Sequence, residues 1–205
     1  MIDEPEAPHA HHGTGIKWLD IGLALAVVAL SVASLVTAQH TGHTMERLVE
    51  ENSRLVRANA TPILQFDTSN VVDGQRRLEI DISNVGTGTA RVIWLEFAKS
   101  GRPIPNPRVL IGYSPKASDQ DYILTERVGG TYLPAGQKRR AMSWPVPHAP
   151  ASLVAWNAFD HDRFGVVATA CYCSVLGECW TSHLQADVPT PVASCDARGH
   201  LNFGD

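Results

Sequence analysis

The spacing of apolar residues along the chain changes twice. Residues 18–38, WLDIGLALAVVALSVASLVTA, are apolar on every side, with one charge, Asp20, near the start. At 1.5 Å per residue a helix of this length spans about 30 Å, the thickness of a bilayer core. A surface helix of a soluble domain keeps a polar face, so this stretch predicts a transmembrane helix. Residues 45–60, MERLVEENSRLVRANA, follow a heptad instead. Met45, Leu48, Asn52, Leu55 and Asn59 fall at a, d, a, d, a, and Val49 and Val56 widen the stripe. Glu50 and Arg54 stand four apart, where opposite charges support a helix. From residue 62 the period drops to two. Leu78, Ile80 and Ile82 alternate with Glu79, Asp81 and Ser83, the pattern of a strand with one buried face.

These periods divide the chain into a polar segment 1–17, a membrane helix 18–38, a juxtamembrane helical stalk 39–61 and an extracytoplasmic domain 62–205. Candidate strands are residues 63–67, 78–83, 90–97, 108–113, 121–125, 138–144, 153–159, 165–173 and 178–184. Residues 84–88 and 133–136 read as turns. Short strands with turn signals every 8–14 residues predict a mainly β domain, an antiparallel immunoglobulin-like sandwich. Trp94, Trp144 and Trp156 are expected to fill its core.

Val36-Thr37-Ala38 before Gln39 has the small residues of a signal-peptide cleavage site. The segment before it is acidic, with Asp3, Glu4 and Glu6 against Lys17, whereas signal peptides begin basic. A retained anchor is therefore the favoured reading. Arg47 and Arg54 after the helix against Lys17 before it lean towards a cytoplasmic C-terminus, by a difference of one charge. The cysteines argue for the opposite side, and the expected location is a bacterial inner membrane with the C-terminal domain in the periplasm. Small residues four apart (Gly22 and Ala26; Ala29, Ala33 and Thr37) suit close helix approach. An Asn at a heptad a position sets register and oligomeric state. Met45, Leu48, Asn52 and Leu55 are thus candidate oligomer contacts, against the alternative of a simple helical spacer.

The 205 residues carry 17 Lys and Arg against 21 Asp and Glu, for a formal charge of −4. Basic residues are scattered apart from Lys138-Arg139-Arg140, so nucleic acid is not an expected partner. All four cysteines, Cys171, Cys173, Cys179 and Cys195, lie near the C-terminus. An even number in one domain favours disulfides and an oxidising compartment.

In CYCSVLGECW, residues 171–180, Gly177 suits the left-handed last position of a three-residue hairpin loop. That turn pairs Ser174 with Glu178 and sets Cys173 opposite Cys179, near enough for a bridge after small adjustment. Cys171 and Cys173 are too close along an extended strand to join easily, which leaves Cys195 for Cys171. The expected disulfides are Cys173–Cys179 and Cys171–Cys195. In the same register Cys171, Cys173, Cys179 and His183 share one face, and three thiolates with an imidazole form the alternative, a Zn or Cu site.

The stretches SNVGTGTARV and YLPAGQ resemble strand–turn signatures of uncharacterised bacterial membrane-anchored β-sandwich proteins, as does the order of anchor, short helix and β domain. The resemblance covers residues 18–175 and implies an immunoglobulin-like fold; it carries over no catalytic residues, because none are established for that group. Cys179-x3-His183 resembles part of the copper loop in the second subunit of haem–copper oxidases. It departs from that loop in the six-residue spacing of Cys173 and Cys179 and in having no Met after Met142.

His161 between Asp160 and Asp162 suits a cation or acid–base chemistry, or a solvated connection. His9, His11, His12, His40 and His43 flank the membrane segment. No phosphate loop, nucleophile elbow, zincin helix or paired-carboxylate pattern occurs. The expectation is a non-enzyme without a cofactor that binds or scaffolds envelope proteins, as a homo-oligomer or with an envelope partner. Metal binding or electron transfer at the cysteine face is the alternative.

Overall fold

The computed structural model describes residues 16–112, 123–185 and 187–203. The chain divides into two compact units, Met1–Arg54 and Leu55–Asp205. Helix α1, Lys17–Asn59, runs unbroken through the boundary at 38/39 that the change of period suggests. Ser31, Thr37, Thr41 and Thr44 donate their hydroxyls to carbonyls four residues earlier, so these polar groups are satisfied within the helix. Among the described residues, none of its side chains is buried. It is long and apolar enough to cross a membrane. Met45, Leu48, Asn52 and Leu55 are exposed, and Arg54 donates to Glu50 at 2.6 Å. Pro62 follows the last helical residue closely and halts the helix.

The second unit holds two antiparallel sheets. The first has the order β1 (Leu64–Val72), β2 (Gln75–Asn84), β7 (Lys138–Pro145), β5 (Leu124–Thr125). The second has the order β10 (Thr190–Val192), β9 (Cys179–Ser182), β8 (Val166–Cys173), β3 (Ala90–Lys99), β4 (Arg102–Ile104), with β6 (Thr131–Leu133) also on β3. One buried apolar cluster draws on both. Leu78, Ile80, Ile82, Met142 and Trp144 come from the first sheet, and Val92, Leu95, Phe97, Ala170 and Tyr172 from the second.

Helix accounts for 36% of the described residues and strand for 34%, so the protein is a mixed helix-and-sheet structure rather than mainly β. Two expected strands are helices. Residues 108–113 fall on α2, Pro107–Ile111; Asn106 caps it through Val109 N–H, and Gly112 ends it at φ 63°. Tyr113 lies outside the described residues, as do residues 121 and 122 of the expected strand 121–125. Residues 153–159 fall on α3, Pro150–Asp162, whose buried Ser152, Trp156 and Phe159 recur at helical spacing. Pro at the first helical position favours both helices. Trp156 Nε1 donates to the Trp144 carbonyl at 3.1 Å.

The alternation in β2 does not leave a solvated face. Glu79 and Asp81 are buried, with Arg140 Nε 3.0 Å from Glu79 and Lys138 Nζ 2.9 Å from Asp81. The Asp81 carboxylate holds the Lys138 ammonium above its ordinary range by hydrogen bond and charge.

Candidate functional site at the cystine face

The chain is fastened to the domain at two places, and both are legible residue by residue. At the first, Asn84 closes β2 with a fully buried side chain. Its Nδ2 donates to the carbonyls of Gly88, at 2.8 Å, and Leu133, at 2.9 Å. Its Oδ1 accepts from the amides of Ile63, at 3.2 Å, and Gly86, at 3.1 Å. An amide side chain has two donors and one carbonyl oxygen, so its capacity is used fully. This single residue joins SNVGTGTARV, YLPAGQ and the junction after α1. A Cβ on Gly86 or Gly88 would overlap the backbone of residues 60–63, which is why glycine stands at both. Thr87 Oγ1 donates to the Ala58 carbonyl at 2.7 Å and completes the joint.

The second fastening is the cysteine cluster. Strand β8 alternates, placing Tyr172 in the core and Cys171 and Cys173 on the opposite face. Gly177 lies at φ 85°, Ser174 N–H donates to the Glu178 carbonyl at 2.7 Å, and Cys173 stands opposite Cys179. The Cα atoms of that pair are 4.0 Å apart, the close approach of a non-hydrogen-bonded position. Ser174 Oγ accepts from Leu176 and Glu178 N–H and so organises the loop from within. Disulfides join Cys173 to Cys179 and Cys171 to Cys195. Burial pushes the Tyr172 phenol up to about 12.

Strand β10, which pairs Val192 with Cys179, brings the tail to this face and sets Cys195 beside the hairpin. The tail then crosses the outer face of β3. His200 stacks on Trp94 with ring centroids 3.9 Å apart, and its Nδ1 lies 3.1 Å from Glu96 Oε1. Trp94 is thus buried by the tail, whereas Trp144 and Trp156 are buried in the central cluster. Asn202 Oδ1 accepts from Leu95 N–H, and Phe203 reaches the core against Phe97.

An open cleft of about 640 Å³ lies over the cluster, lined by Cys173, Cys179, Cys195, Arg91, Tyr132 and Ser194 among others. Arg91 stands directly opposite Cys173 in the β3–β8 pairing, on the same face. The pairing shifts between Val92 and Trp94, a bulge that flanks the cleft. Arg198 donates to Asp196 and holds that carboxyl below its usual range. Arg91, the bulge and β10 have no motif to announce them. Only Pro191, suited to an edge strand, hints at the last.

The four residues of the alternative metal set are distributed otherwise. His183 Nδ1 is 3.0 Å from Thr169 Oγ1, further along the same face. The sulfurs that converge within 4.8 Å belong to Cys173, Cys179 and Cys195, and all four cysteines are spent in disulfides. His161 is exposed at the end of α3 with Nδ1 3.0 Å from Asp162 Oδ1, while Asp160 pairs with Arg163. His40 and His43 are exposed on α1; His9, His11 and His12 lie outside the described residues. Comparison with known protein families, curated proteins and solved structures finds no match.

Proposed function

We propose that this chain is a single-pass, non-enzymatic protein of a bacterial inner membrane whose periplasmic domain binds or scaffolds other envelope components. In this reading the two sheets form an immunoglobulin-like sandwich, and residues 18–38 are a retained anchor. The observation that carries it is an apolar helix with no buried side chain among the described residues, in one chain with a domain closed by two disulfides. Disulfides persist on the oxidising side of the membrane, which supports an orientation with the domain in the periplasm. The exposed stripe of Met45, Leu48, Asn52 and Leu55 is the expected contact with a second copy or a partner helix.

The test is fractionation with protease access. Carbonate-washed membranes should retain the protein, and protease added to spheroplasts should degrade the domain. Release by carbonate, or protection of the domain until the membrane is broken, defeats the reading. Cross-linking in intact membranes should yield a defined higher species that Leu48→Asn with Leu55→Asn abolishes.

A second reading, Zn or Cu at this face, is favoured by the convergence of three sulfurs. It needs reduced cysteines, and it replaces Cys171 and His183 by Cys195. Metal analysis of reduced protein, purified without a metal-affinity step, decides it.

A further inference from the structure

The two disulfides are not separate staples. Cys173 Sγ lies 3.8 Å from Cys195 Sγ, although each is bonded elsewhere. Two sulfurs at contact distance, one in each bridge, are placed for the step by which disulfides exchange, attack of a thiolate on a neighbouring S–S bond. The surroundings favour that step. Cys195 is half-exposed on a tail with little regular structure, and Cys179 and Cys173 line the open cleft. Arg91 is the cross-strand partner of Cys173 and lines the same cleft, and a positive charge in such a cleft favours a thiolate. The nearby carboxylates are engaged elsewhere, Glu178 with Arg57 at 3.7 Å and Asp196 with Arg198 at 2.9 Å. His183 is held by Thr169, and Tyr132 is the remaining titratable group lining the cleft.

We propose that the paired cystines form a thiol–disulfide exchange site at which the covalent attachment of the tail passes from Cys171 to Cys173. The co-reactant is an external dithiol. Its thiolate attacks Cys179 Sγ, forms a mixed disulfide there and expels the Cys173 thiolate. Cys173 then attacks Cys195 Sγ, forming a Cys173–Cys195 bond and expelling the Cys171 thiolate, which takes up a proton. The second thiol of the dithiol attacks the mixed disulfide, leaves as the cyclic disulfide and frees Cys179. The balance is one dithiol oxidised and one of two protein disulfides reduced. The tail stays tethered throughout, to a residue two positions further along β8. This goes beyond the scaffold reading and stands whether or not that reading holds.

Full-length protein in detergent is treated with less than one equivalent of a dithiol, blocked with an alkylating agent and digested with chymotrypsin. Cleavage after Tyr172 and Leu176 separates Cys171, Cys173 and Cys179. The expected product is a Cys173–Cys195 linked peptide with Cys171 and Cys179 alkylated. Partly reduced molecules that carry only Cys171–Cys195 or only Cys173–Cys179 overturn the proposal, as does resistance of both bridges to excess dithiol. Cys171→Ser supplies a version free of reductant, because it leaves Cys195 as a thiol beside an intact bridge. On standing at mildly alkaline pH it should acquire a Cys195 linkage to Cys173 or Cys179; a Cys195 that stays free refutes the exchange. Arg91→Gln should slow the reaction roughly three- to tenfold at neutral pH and move its pH profile upward, with rescue by Arg91→Lys. An unchanged profile removes Arg91 from the site.

Discussion

The joint after α1 and the tail at the other end of the domain solve the same problem by different chemistry. Both hold an otherwise loose length of chain against a sheet. The joint uses one buried amide, Asn84, with two glycines that let backbones touch. The tail uses two cystines and an aromatic stack over a cleft open to solvent. A buried hydrogen-bond hub is all-or-nothing, because removing one partner leaves several groups unpaired in a dry place. A covalent staple in a wet cleft is strong but conditional on redox state. The difference teaches that one attachment of this domain is permanent and the other is open to chemical control.

The largest expected effect attacks the permanent side. Asn84→Ala strands two carbonyls and two amides, and should lower unfolding stability by about 3–5 kcal/mol in denaturant titration, equally in reducing and oxidising buffer. A redox-dependent loss would break the contrast. Replacing Cys171 and Cys195 together by Ser opens a bridge of sequence separation 24 and should cost about 3 kcal/mol. Hydrogen exchange should show the tail deprotected while residues 58–63 keep their protection.

Alkali reaches the cystine-bearing strand from its core side. The folded protein keeps Tyr172 protonated to about pH 12, whereas the unfolded chain releases that proton near pH 10. Stability is therefore full below about pH 10 and falls by about 2–3 kcal/mol as pH rises towards 12. Tyrosinate absorbance should show a late-titrating phenol, and Tyr172→Phe should remove it. The smallest effect is Arg57→Ala, which severs an exposed 3.7 Å pair with Glu178 and should change stability by less than about 0.5 kcal/mol.

How far the sequence could be read follows the same division. The apolar span of α1 and the register of the β8–β9 hairpin rest on local rules, continuous hydrophobicity and turn chemistry at Gly177, and both were legible. Helices α2 and α3 were hidden because a run such as LVAWNAF is apolar enough to pass for a strand. The deciding signals, Asn106-Pro107 with Gly112 and the Pro150 start, are helix-end rules rather than periodicity. Asp73-Gly74, at φ 50° and 75°, joins β1 to β2 and is a strong local hairpin signal outside the turns at 84–88 and 133–136. Arg91 opposite Cys173, and the embrace of Asn84 around two distant turns, depend on pairings across the fold. No local rule predicts those.

The bridges are nested, 173–179 inside 171–195, and for a chain made from its N-terminus this is a matter of timing. Cys171 emerges first and must stay unjoined while Cys173 finds Cys179. It is fastened only when Cys195 arrives, after the hairpin has closed. An oxidant that joined cysteines in their order of arrival would bond Cys171 to Cys173 and spoil the strand. Correct maturation therefore needs the hairpin turn to fold before the oxidant acts, so the loop from Ser174 to Glu178 sets the clock for the chain from Cys171 onward.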